Sequence, residues 1–95
     1  MYEQFFESFD AYNSLQDCIA TYRKHPTHEN LLCLYDAANK LPVEDMTNDV
    51  IVLLKLCETT MAVYHCSQIH NPAKMLKIYK RMVAEVKHQC KYMED

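Results

Sequence analysis

Histidine and cysteine approach each other at three places in this chain: His25, His28 and Cys33; His65, Cys66 and His70; and His88 with Cys90. A structural zinc site needs about four such ligands converging at fixed distances. None of the three groups has the paired spacing of the familiar zinc motifs. His65 and Cys66 are neighbours in a helical pattern, so they point about 100° apart around the axis. The same divergence denies Cys66 an adjacent base, which a nucleophilic thiol requires. Carboxylates that could do acid–base work lie on faces that read as solvated. These residues therefore predict no metal, no cofactor and no catalytic group, and the protein is expected to be non-enzymatic.

Composition sets the frame for whatever positions those side chains. The 95 residues are 49% hydrophobic and 24% charged, which is ordinary globular usage and enough for one small domain. There is no glycine. Tight primed hairpins and left-handed helix caps become hard to make without it, and phosphate-cradling glycine loops are excluded. The net charge of −3 is unevenly placed: residues 1–71 hold four Lys/Arg against ten Asp/Glu, and residues 72–95 hold six against three. A basic helix beside acidic ones is the simplest reading, and nucleic acid is not expected as a partner of a mainly acidic domain. No stretch of about 20 residues lacks charge, so no membrane span is expected. The acidic start MYEQFFESFD does not resemble a signal peptide. Five cysteines, an odd number, read as reduced core thiols in the cytoplasm or nucleus.

Periodicity predicts four helices. Tyr2, Phe5, Phe9, Tyr12, Leu15, Ile19 and Tyr22 recur at steps of three and four over residues 2–24, and Pro26 ends that helix. Thr27 caps a short second helix that buries Leu31, Leu32, Leu34, Tyr35 and Ala38 and stops near Lys40, ahead of Pro42. Thr47 caps the long apolar stretch to Ile69, with Val50, Leu53, Leu54, Cys57, Met61, Tyr64 and Cys66 inward. The run Val50-Ile51-Val52-Leu53-Leu54 could also be a buried strand, but nothing else in the chain looks like its partner. Asn71-Pro72 opens a fourth helix to about Tyr92, with Met75, Ile78, Tyr79, Met82, Val83, Val86 and Cys90 as its stripe. The fold class is all-α: a mostly antiparallel four-helix bundle, residues 1–95 forming a single domain with proline-marked connections.

Apolar residues outnumber the positions such a bundle can cover. Phe6, Ile51 and Val52 fall off the main stripes, and six methionines supply adaptable surface. At LLCLYDAANKLPVEDM and CSQIHNPAKMLKIYKRMVAEVK the pattern resembles the TFIIS N-terminal family of helical bundles and its integrase-binding-domain relatives. The likeness lies in a leucine-rich short helix ending at Leu41-Pro42-Val43, an inter-helix loop around Ser67-Gln68-Ile69, and a basic last helix through Ile78-Tyr79-Lys80. It covers residues 31–87, without the family's Thr-x-Ile-Gly or terminal Trp-Lys. The resemblance implies a module that binds short disordered segments of transcription or chromatin proteins through loops at Pro26, Thr27 and His28 and at Ser67, Gln68 and Ile69.

Two functions from different classes follow, ahead of a third in which the basic fourth helix binds a metal or nucleic acid. One is a protein–protein interaction module that docks a partner helix or peptide in an apolar inter-helix groove, with Met82 and Ile69 lining it. The other is a homodimeric structural or accessory protein, a viral one included, that self-associates through Phe5, Phe6, Phe9 and Tyr12.

Overall fold

The computed structural model describes the backbone of residues 2–69 and 72–93, and the side chains of residues 10–68 and 72–93. Four α-helices follow in order: α1 (Tyr2–Lys24), α2 (His28–Asn39), α3 (Asn48–Ile69) and α4 (Pro72–Tyr92), with one 3₁₀ turn at Val43–Asp45. No strand occurs among the described residues, and Val50–Leu54 lies inside α3. The fold is an all-α four-helix bundle.

Local chemistry explains the boundaries. The Thr27 hydroxyl accepts the Asn30 backbone N–H at 3.2 Å, an N-cap that satisfies one orphan donor of α2. The Asn30 side-chain amide donates back to the His25 carbonyl at 2.7 Å and ties down the bend around Pro26. The Thr47 hydroxyl accepts the Val50 N–H at 3.4 Å at the start of α3. Asn71, expected to cap α4, lies outside the described residues; Pro72 is the first residue of that helix.

Leu15, Ile19, Tyr22, Leu31, Leu34, Leu53, Cys57, Val86 and Cys90 are completely buried, so all four helices feed one core. The α3–α4 hairpin is the most extensive pairing, and α1 touches α4 less than it touches α2. Hydrogen bonds that cross between helices among the described residues include Tyr22 to the Val83 carbonyl at 3.2 Å, Tyr35 to Glu58 at 2.9 Å, and Gln89 to the Asp49 carbonyl at 3.5 Å. The long axis measures 51 Å. A helix of this length spans only about 32–35 Å, so the helices are staggered rather than flush.

Several inward assignments are corrected. Leu32 is 44% exposed and Ile78 39% exposed, and Cys66 and Cys33 are also on the surface. Leu32 follows Leu31, and one residue turns a helical side chain about 100° away from the face α1 and α3 cover. Tyr12, placed on the α1 stripe, is 47% exposed. In their stead the core takes Ala37, Thr60 and Ser67. Thr60 and Ser67 can be buried because their hydroxyls donate to the carbonyls of Leu56 and Tyr64, both at 2.6 Å. Only two of the five cysteines, Cys57 and Cys90, are core thiols; Cys18 is half-buried, and all five are free. The expectation about membrane spans also changes. Asn48–Gln68 is long and apolar enough to cross a membrane by length and composition, at a mean hydropathy of 1.3, although here it packs against α2 and α4.

Candidate functional site

Two places gather side chains into a shape that could receive something. The first is an open groove between α1 and α2. Two adjoining depressions of about 220 Å³ each lie along it. One is lined by Ala11, Ser14, Cys18, Cys33, Asp36, Ala37 and Lys40, and the other by Asp17, Cys18, Thr21, Asn30 and Cys33. Taken in antiparallel register, the lining residues of the two helices match as 11 with 40, 14 with 37, 18 with 33 and 21 with 30. Each pair adds to 51, and the steps of three and four between pairs are those of one helix face. Ala11, Ser14 and Ala37 leave a furrow because they carry so little side chain. Asp17 and Asp36 stand on the rim, where Asp36 meets Lys40 at 3.3 Å in an exposed pair. Burial, and then the neighbouring Cys33, Asp17 and Asp36, push the Cys18 thiol above its ordinary pKa.

The second place is the end of the bundle where α2 begins and α3 nears its end. The His28 ring stacks on Tyr64 with centroids 3.8 Å apart and planes 19° apart, and Tyr79 of α4 closes on Tyr64 at 5.2 Å. His28 Nδ1 is buried there with no hydrogen-bond partner. Burial, with Tyr64 adding to it, raises the Tyr79 hydroxyl above its ordinary pKa.

This stack brings the two expected contact segments to one end of the molecule, although Ser67, Gln68 and Ile69, expected in an inter-helix loop, belong to the last turn of α3. Pro26 and Thr27 are exposed beside half-buried His28, and Gln68 is exposed one turn beyond Tyr64. Ser67 does not contribute a surface polar group: it is 6% exposed and its hydroxyl is held by the Tyr64 carbonyl. Met82 is half-buried, one turn along α4 from Tyr79. The Ile69 side chain lies outside the described residues, as do those of Phe5, Phe6 and Phe9, whose backbone belongs to α1. Tyr12 sits far from this end, one residue from the Ala11–Lys40 limit of the groove.

The groove residues were missed from the sequence. Their signal was available in outline: small residues at positions 11, 14 and 37 fall opposite one another once α1 and α2 are taken as an antiparallel hairpin. The buried thiols offer little chemistry, because only the thiolate is reactive. Burial, followed by Cys90 and Glu58, pushes Cys57 up to about 12. Burial pushes Cys90 up to about 11, against a lowering by Arg23. Among the described residues, no three of His, Cys, Asp and Glu gather closely enough to hold a metal ion. No protein-family model, curated protein or solved structure matches this chain.

Proposed function

We propose that the protein is a non-enzymatic interaction module that docks a partner helix or short peptide in the groove between α1 and α2. The observation that carries this reading is the furrow over Ala11, Ser14 and Ala37, about 220 Å³ in each of its two depressions and mostly apolar in lining. An amphipathic helix that inserts alternate turns into such a furrow buries apolar surface at spacings of three and four. Asp17 and Asp36 on the rim favour a partner with basic flanks. The end formed by exposed Pro26, Thr27 and Gln68 beside half-buried His28 is the surface that the TFIIS-like resemblance would use, and it would place the module in transcription or chromatin regulation.

The two surfaces are separable by experiment. Displayed helical peptides are selected on the intact protein, and the winners are measured by fluorescence polarisation against Ser14→Trp and Gln68→Ala. Ser14 is exposed, so tryptophan there fills the furrow without entering the core. Groove docking requires Ser14→Trp to lose binding by at least tenfold, with helical circular dichroism unchanged. Binders indifferent to Ser14→Trp would remove the groove from the proposal.

A second reading has its own support. Ala11 and Lys40, just past the end of α2, line the same end of the groove, so residues 2–10 of α1 run beyond that helix. Self-association through this part of α1, with Phe5, Phe6, Phe9 and Tyr12, would cover it. Light scattering over a hundredfold dilution tests this, and a monomer throughout discards it.

A further inference from the structure

The two depressions of the groove share only two residues, Cys18 and Cys33. They line the groove between Ser14 and Ala37 on one side and Thr21 and Asn30 on the other, and lie near enough for Cys33 to act electrostatically on Cys18. Packed helices lie about 8–10 Å apart axis to axis, and each Cα stands about 2.3 Å off its axis. Cα atoms on the line between the axes would be only about 3–5 Å apart; Cys18 and Cys33 stand at the groove mouth, off that line, which moves them outward towards the roughly 4.4–6.8 Å that a disulfide spans. Cys57 and Cys90 also neighbour each other, but both are completely buried in the core, away from an oxidant in solution, and Cys66 stands on the surface of α3.

We propose that Cys18 and Cys33 form a reversible redox pair, a disulfide that bridges α1 and α2 across the groove when a peroxide oxidises them. Cys33 is the exposed member and reacts first. Its sulfur takes one oxygen from hydrogen peroxide as a sulfenic acid, and the other oxygen leaves as water. The half-buried Cys18 thiol then attacks that sulfur; the S–S bond forms, the S–O bond breaks, and a second water departs. Two thiols lose two protons and two electrons, and one peroxide becomes two waters. Burial, then Cys33, Asp17 and Asp36, raise the Cys18 thiol above its ordinary pKa, which makes it the less reactive of the two towards peroxide and leaves the first oxidation to Cys33. The bond would cross the groove where its two depressions meet and so shorten the surface open to a helix. That consequence rests on the docking reading above; the bond itself does not.

The test uses the full chain, reduced and then exposed while folded to a small excess of hydrogen peroxide. Remaining thiols are alkylated after unfolding and counted by mass. Alkylatable thiols should fall from five to three, with an intact mass lower by about 2 Da before alkylation. Trypsin cuts at Arg23 and Lys24, so the two cysteines fall in different peptides, which should remain joined until dithiothreitol is added. Cys18→Ser and Cys33→Ser should each abolish the link, and Cys66→Ser should keep it. Cys33 driven on to sulfinic acid beside a free Cys18 would overturn the proposal, as would links formed only between chains through Cys66. A bond that forms while peptide capture is unchanged confirms the pair and removes the groove as the docking site.

Discussion

Raising the pH should unfold this protein through its own core. Cys57 and Cys90 are completely buried, and burial lifts their pKa values to about 12 and about 11 from an ordinary 9.0. Tyr22, also completely buried, is lifted as well, from an ordinary 10.0. A group whose folded pKa is raised keeps its proton longer in the folded state than in the unfolded one. The stability tied to that proton is complete below the unfolded value and is lost as pH climbs towards the folded value. At pH 10.5 an unfolded thiol is about 1.5 pH units past its pKa while both folded thiols still hold their protons. At about 1.4 kcal/mol per unit the pair then costs the folded state about 4 kcal/mol, and Tyr22 adds about 1 kcal/mol. A domain of this size has about 5–15 kcal/mol in all, so little would remain. Urea titrations followed by circular dichroism at pH 8 and pH 10.5 measure the loss. Lysines begin to titrate in the same range, so the deciding comparison is with Cys57→Ala/Cys90→Ala, which is weaker at pH 8 but should lose far less between the two pH values. If the double variant loses as much as the parent, the thiols are not the cause and the argument fails.

Two further outcomes check the packing and the local chemistry by the same urea titration. Leu53→Ala removes a side chain with no exposure and should cost about 2–5 kcal/mol, whereas Leu32→Ala, at 44% exposure, should cost well under half of that; equal losses would mean that α2 is rotated relative to the fold described. Thr27→Ala deletes the acceptor for the Asn30 N–H and should cost about 1 kcal/mol, with Thr27→Ser restoring most of it.

Much of this fold was legible in the residues. The ends of α1 and α2 lie where Pro26, Thr27 and Pro42 place them, because a proline ring or a capping hydroxyl acts on backbone groups within a turn of itself. The inward faces were less legible. α4 carries its apolar side chains on one clear stripe, yet Ile78 on that stripe is exposed. α3 is apolar nearly all round, so nothing within it says that Val50, Leu53 and Cys57 are covered while Ile51 and Val52 remain 40% and 44% exposed. Which side is buried depends on where α2 and α4 lie, and α2 is too short to cover more than part of the helices beside it.

The site follows the same division. The residue order alone determined that helices form, where they begin and end, and that more apolar surface exists than one small core can hide. Tertiary structure alone decided that Cys18 and Cys33 line one furrow together with Ala11, Ser14 and Ala37, and that His28 stacks on Tyr64 at 3.8 Å. Helix formation is governed by bonds between residues four apart, which the order of residues states directly. The apposition of two helices is set by how side chains far apart in the chain interdigitate, and no local pattern encodes that.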